Sequence, residues 1–149
     1  GEIIGLFLTE RVPFGLPATE VAKRIRGQGG LVYIPHPFDP LRNCLRQDAL
    51  IDLVEKGLVD AIEGRNGKTS LAHLNQQAMD FAAEAGLPVG GGSDAHVPDA
   101  LGAVYSEMPD FDGTPEGFLA SLRAGTVTGH HYDAPRRWRP RIVPSTSVG

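Results

Sequence analysis

Leu31-Val32-Tyr33-Ile34-Pro35-His36-Pro37 is the stretch on which the fold class turns. Four large apolar or aromatic residues in a row predict a strand buried on both faces, the kind found in a parallel sheet covered by helices. The two prolines bar a helix and a central ladder on either side, so His36 is held in an extended turn where the strand stops. Working outward, the same alternation recurs. Residues 3–8 read as a buried strand with Glu2 as the charge at its edge. Thr19 reads as an N-cap, Val21 and Ile25 as the apolar stripe of a helix, and Gly27, Gly29 and Gly30 as its stop. Asp48 opens a second helix with Leu50, Ile51 and Val54 inward and Gly57 after it. Residues 58–63 form a third strand signal, closed by the turn-like Gly64-Arg65-Asn66-Gly67. Ser70 opens the clearest helix, with Leu71, Leu74, Ala78, Phe81 and Ala85 on one face and Gly86 as its end. A short strand signal, Leu87-Pro88-Val89, leads into Gly91-Gly92-Ser93-Asp94-Ala95-His96. Residues 103–106, a helix opened by Thr114-Pro115, and residues 127–131 continue the pattern. Short connections and continuous apolar strands predict an α/β architecture with a parallel sheet, either doubly wound or a barrel.

At 149 residues the chain has the size of one domain, and its 41% hydrophobic and 21% charged residues are those of a globular protein. A formal net charge of −4 argues against a general binder of nucleic acid or anionic membrane. Cys44 is the sole cysteine, so no internal disulfide and no cysteine zinc site is expected, in keeping with a reducing cytoplasm. No apolar run reaches the length of a membrane span, and no membrane partner is expected. From Pro135 the pattern fails: Arg136, Arg137, Arg139 and Arg141 interleave with prolines and Trp138, so 135–149 reads as a Pro/Arg-rich tail after a domain at 1–134.

In either α/β architecture, ligands bind where the strands end at their C-terminal edge. His36, Asp94 and His96 follow two different strands there, and Glu63 ends a third. Alternate residues of an extended segment point the same way, so Asp94 and His96 are expected to reach one point. Imidazole and carboxylate together suit Zn, Mn or Fe. A bound divalent ion lowers the pKa of its water to roughly 7 and stabilises charge on a phosphate in displacement, which points to hydrolysis with a phosphoester as a natural substrate. Arg42 can grip an anionic group in bidentate fashion. Other schemes fit poorly. Gly91-Gly92-Ser93-Asp94-Ala95 lacks the last glycine of a nucleophile elbow, and Gly90-Gly91-Gly92 has no Gly-Lys-Ser/Thr after it. Of His130 and His131, which point to opposite faces if extended, at most one can join a metal cluster.

Residues 29–37, then Asp60-Ala61-Ile62-Glu63, then Gly92-Ser93-Asp94-Ala95-His96 followed by Leu101-Gly102, resemble in content and order the later part of the PHP (polymerase and histidinol phosphatase) family. The resemblance runs from about Glu2 to about Tyr132. It implies a distorted seven-stranded β/α barrel, up to three metal ions (Zn, Mn, Fe or Mg) at the strand ends, and hydrolysis of a small phosphorylated substrate, a nucleotide or a nucleic-acid end. It implies His36, Asp94 and His96 as metal ligands. The family carries a ligand histidine where this chain has Glu2, whose carboxylate serves the same metals. The family's opening His-x-His, and a glutamate that bridges metals, have no counterpart here. The chain is therefore expected to be the C-terminal part of a PHP-type domain: a partial (β/α)7 barrel of mostly parallel strands with outer helices, an exposed sheet edge, and a partner in the N-terminal part of the same domain. Alone it is expected to be inactive. Two rival readings are a non-catalytic PHP-like module and an amidohydrolase-type metal hydrolase, for whose bridging lysine Lys56 and Lys68 are the candidates.

Overall fold

A computed structural model describes residues 1–132 of the chain. The order of elements is β1 (Ile4–Leu6), α1 (Ala18–Gly27), β2 (Leu31–Ile34), α2 (Gln47–Glu55), β3 (Ala61–Asn66), α3 (Ala72–Ala85), β4 (Val89–Gly92), β5 (Val104–Glu107), α4 (Pro115–Ala124) and β6 (Thr126–Gly129). Strands β1 to β4 form one sheet in that spatial order, and β5 pairs with β6 in a second, two-stranded sheet. The fold is mixed α/β. The described residues form an open sheet and no closed barrel, so the expected partial (β/α)7 barrel holds only at the coarser level of a mostly parallel sheet with helices. The boundary at 134 and the Pro/Arg-rich tail lie outside the described residues.

β2, β3 and β4 run parallel, as their apolar runs predicted. Val32, Ile34 and Ile62 are completely buried, packed with Ile25 of α1, Leu50 and Leu53 of α2 and Ala82 of α3. β1 departs from expectation. It pairs antiparallel with β2, with Leu6 opposite Leu31 and Ile4 opposite Tyr33. It lies at the edge of the sheet, and Ile4 is 41% exposed rather than buried on both faces. β5 and β6 also pair antiparallel, which strand-helix alternation alone did not foresee.

Glycines explain two further differences. Gly64, read as part of a turn, lies inside β3 against the Val89 side chain, where a Cβ has no room. Gly90, Gly91 and Gly92 form most of β4 instead of a loop. A Cβ on Gly90 would lie 2.7 Å from the Tyr33 hydroxyl, one on Gly91 2.9 Å from Val104, and one on Gly92 2.5 Å from Glu63 Oε1. The missing side chains let a sheet strand lie directly against its neighbours. The helices begin close to where they were expected, but Thr19 does not cap α1. It sits in the first turn, and its hydroxyl donates to Asp52 of α2 at 3.3 Å.

Candidate metal and anion site

His36, Asp94 and His96 sit at the edge where β2 and β4 end. Pro35-His36 leaves β2 and Ser93-Asp94 leaves β4. Because β1 runs antiparallel, its beginning rather than its end lies at this edge. Glu2 therefore meets His36, with Oε2 3.2 Å from Nε2. Two ligands of one tetrahedral or octahedral ion, each at about 2.0–2.2 Å from it, stand roughly 3.0–3.4 Å apart, and this pair has that spacing.

His36 and Asp94 are two of the three non-glycine residues with positive φ among the described residues, at 29° and 48°. Such backbone costs on the order of 1–3 kcal/mol where the side chain does not favour it, and it persists only where its surroundings hold it. For His36 the holder is Glu63, whose Oε2 accepts the His36 N–H at 2.7 Å and the Asn66 side-chain amide at 3.0 Å. Burial pushes the Glu63 carboxyl up, while the amide of Asn66, the His36 N–H and the imidazole act against that. Glu63 thus stands at an irregularity in the β3–β4 pairing, inside the strand rather than at its end. Beneath it, burial pushes the Tyr33 phenol well up, with the Glu63 charge adding to the effect.

Asp94 is not in an extended segment, and its carboxylate Oδ1 lies 3.6 Å from His96 Nδ1. His96 Nδ1 is 2.7 Å from the Asp94 carbonyl, and its side chain is 64% exposed. A carbonyl only accepts, so Nδ1 donates, and Nε2 is the ring nitrogen left to bind a metal. Arg42 Nε lies 3.8 Å from Asp94 Oδ2 and 3.8 Å from Asp39 Oδ2. Three buried side-chain polar atoms among the described residues have no hydrogen-bond partner: His36 Nδ1, Arg42 Nε and Asp94 Oδ2. All three belong to residues that sequence alone had placed in a site. Buried polar groups are otherwise nearly always paired, and Asp94 Oδ2 in particular is a carboxylate oxygen with a lone pair to give. Imidazole and carboxylate are the donor types a divalent cation takes, and only Glu2 with His36 has the spacing of two ligands on one ion. Among the described residues no three His, Cys, Asp or Glu side chains converge to hold one ion.

Beside Asp94 opens a cavity of about 390 Å³, whose polar wall includes Arg42, Lys68, Ser93, Asp94, His96 and His131. His131 faces it and its Nδ1 is 3.0 Å from the Gly67 carbonyl, whereas His130 is absent from the wall. Of the two lysines considered as metal bridges, Lys56 is paired with Asp52 on α2, while Lys68 lies just past β3 and lines the cavity. Sequence reading missed Asp39, Asn66 and Thr69, all buried. Asp39 accepts from the Thr69 hydroxyl at 2.7 Å and the Leu41 N–H at 2.9 Å. Asn66 accepts from the Lys68 and Thr69 N–H groups at 2.8 and 3.0 Å. The available signal was local: Asp or Asn bonding the N–H two residues on is an Asx turn, and Asp39-Pro40 and Asn66-Gly67 are turn dipeptides.

Residues 72–127 match the family described as PHP-associated. A two-domain protein of Bacteroides vulgatus, whose structure is described as containing a predicted PHP-like metal-dependent phosphoesterase, superposes with a TM-score of 0.62 over 86% of this chain and 40% of its own, at 17% identity. Residues 72–127 are a PHP-associated region, on a chain with the fold of that PHP-containing structure. PsfC from Pseudomonas syringae superposes on this chain with a TM-score of 0.57 at 25% identity, covering 80% of this chain and 48% of that one. An uncharacterised protein of Methanocaldococcus jannaschii is 36% identical over 137 residues, 85% of this chain and 56% of the relative. A second uncharacterised protein of the same organism is 49% identical over 53 residues, 36% of this chain and 30% of its own length. The chain thus spans little more than half of the longer match.

Proposed function

We propose that this chain supplies part of the catalytic centre of a metal-dependent phosphoesterase of the PHP type, a hydrolase. Glu2, His36, Asp94 and His96 would hold divalent ions (Mn, Zn, Fe or Mg, up to three in the intact domain), and Arg42 would bind the substrate phosphate. When bound, such ions supply a water acidic enough to attack phosphorus at neutral pH. The chain's own residues orient the ligands: Glu63 fixes the His36 backbone, and the Asp94 carbonyl fixes the His96 ring. The substrate would be a small phosphoester or nucleotide, and the N-terminal part of the same domain would complete the ligand set. The place of work would be the cytoplasm, in keeping with the free Cys44; no helix among the described residues is long and apolar enough to cross a membrane.

The observation that carries this reading is the trio of unpartnered buried atoms on His36, Arg42 and Asp94. A second reading, a PHP-like module without catalysis, is favoured by one fact, that no three donors converge among the described residues. Metal analysis and a phosphatase panel on the intact protein, beside His36→Ala and Asp94→Ala, decide between them. The enzyme reading expects bound metal and activity in the parent protein, and loss of both by more than tenfold in each variant. Unchanged metal content and activity in both variants would sink it.

A further inference from the structure

The pair of Glu2 and His36 depends on a residue that hydrogen-bonds to neither side chain. Asn66 closes β3, is 2% exposed, and commits its whole side-chain amide inside the protein. Its Oδ1 accepts the Lys68 N–H at 2.8 Å and the Thr69 N–H at 3.0 Å. Its Nδ2 donates to Glu63 Oε2 at 3.0 Å. Chemistry fixes which way round this amide lies: two N–H donors face one end, and an amide NH2 has no lone pair to offer them. From α3, Asn75 holds the Asn66 backbone, with Oδ1 accepting its N–H at 3.0 Å and Nδ2 donating to its carbonyl at 3.3 Å. Glu63 is held in turn. Its Oε1 occupies the space a Cβ on Gly92 would need. Its Oε2, the oxygen that Asn66 binds, also accepts the His36 N–H at 2.7 Å. These are the two hydrogen bonds of this buried carboxylate among the described residues, and a buried charge is stable only with such donors.

We infer that Asn66 is a positioning residue for His36 as a metal ligand, acting through Glu63. The Asn66 amide fixes the Glu63 carboxylate, and the carboxylate fixes the His36 N–H. That bond keeps the His36 backbone at a φ of 29°, a left-handed conformation that persists only while its surroundings hold it. In that conformation Nε2 stands 3.2 Å from Glu2 Oε2, the spacing of two ligands on one ion. Without the Asn66 donor, Glu63 keeps one of its two hydrogen bonds and swings free of its place. His36 then relaxes, and its ring leaves Glu2. The effect is specific to one edge of the site, because the Asn66 donor reaches only Glu63 while its acceptor serves the turn that follows β3. The inference deepens the proposed function and rests on its placement of a divalent ion at Glu2 and His36.

The test reads binding and backbone rather than turnover. On the intact protein, Mn²⁺ affinity is followed by the resonance signal of free Mn²⁺, and the His36 amide proton by NMR in the absence of metal. Asn66→Asp keeps an oxygen for the Lys68 and Thr69 N–H groups, so the turn survives, but sets a second acceptor against Glu63 in place of the donor. Asn66→Ala removes the donor without adding charge. Both are expected to weaken Mn²⁺ by about ten- to a hundredfold. Both are also expected to move the His36 amide proton upfield, away from the low-field position of a donor to a carboxylate. Thr69→Val breaks another hydrogen bond of the same buried cluster, from its hydroxyl to Asp39 at 2.7 Å, and leaves Asn66 joined to Glu63. It is expected to lower the thermal midpoint while the Mn²⁺ affinity and the His36 signal stay at the parent values, which separates positioning from stability. The inference is overturned if the folded Asn66 variants keep the parent's His36 signal, if they keep its Mn²⁺ affinity, or if Thr69→Val weakens Mn²⁺ as much as they do. A parent that binds no Mn²⁺, with a His36 signal that still follows Asn66, would defeat the proposed function alone. Metal binding and phosphoester hydrolysis that ignore Asn66 would defeat this inference alone.

Discussion

At the scale of single residues, the site depends on atoms that are missing as much as on those present. Gly90, Gly91 and Gly92 carry β4 past Tyr33, Val104, Val127 and Glu63 at distances a side chain would fill. Asp94 is delivered to the edge only because that strand lies so close to its neighbours. Gly91→Ala places a Cβ against the Val127 and Val104 methyl groups in a packed layer. Overpacking of this kind costs about 1–3 kcal/mol, so a lowered urea midpoint is expected. Gly27→Ala, in α1 with open space around it and no positive φ, is the matched control. It is expected to be neutral or stabilising by roughly 0.5–1 kcal/mol, because alanine loses less chain entropy in a helix. Equal midpoints for the two variants would show that β4 is not packed as described. The candidate residues themselves were legible as types: prolines around His36 and glycines before Asp94 marked them. Their orientation was not, because Asp94 leaves the strand in a left-handed turn that the Asp-x-His spacing does not announce.

At the scale of elements, helix ends read from sequence more faithfully than strand partners. α4 shows why. Its signal is local: Thr114 accepts from the Gly117 N–H at 3.0 Å, with Pro115 at the first turn. Asp112 extends the cap, accepting from the Thr114 hydroxyl at 2.6 Å and the Thr114 N–H at 3.0 Å. The Thr114 hydroxyl, and then its N–H, hold the Asp112 carboxyl below its usual value. The folded state thus binds its proton less readily than the unfolded chain. The associated stability is complete above the ordinary carboxylate pKa of about 3.9 and is lost as pH falls below it and through the lower folded value. Asp112→Ala is therefore expected to lower the melting temperature at neutral pH, with the gap to the parent closing on the acid side of that value. A gap that persists unchanged at pH 3 would remove the ionised carboxylate from the cap. Thr114→Ala is expected to cost about 1 kcal/mol at neutral pH. Strand pairing has no such local code. β1 reads like any buried strand, yet the connection over 7–17 lets β2 start beside its end, where Gly30 packs on the Leu6 carbonyl. The run that ends at Glu63 in sequence continues to Asn66, because Gly64 serves close packing rather than a turn.

At the scale of the whole molecule, the antiparallel β1 both brings Glu2 to the candidate site and leaves the sheet open. Its start brings Glu2 to His36. Its outer side pairs with no other strand among the described residues. Next to it runs a groove of about 780 Å³, lined in part by Ile3, Leu8, Val12, Phe14 and Val21. Phe14 at its rim is 99% exposed, and Ile4, Phe7 and Leu8 are each more than a third exposed. An unpaired strand beside apolar surface is a template for pairing with another chain. Residues 1–149 produced alone are therefore expected to self-associate with rising concentration, seen by light scattering. Ile4→Lys places a charge on the edge strand at a half-exposed position, the device by which natural edges resist pairing. It is expected to restore a monomer over the same concentration range with a thermal midpoint close to the parent. Glu2 and His36 remain adjacent in such a variant, so the substitution separates association from the site: a parent that stays monomeric, or an Ile4→Lys chain that associates equally, would show that this edge is not the surface through which copies meet.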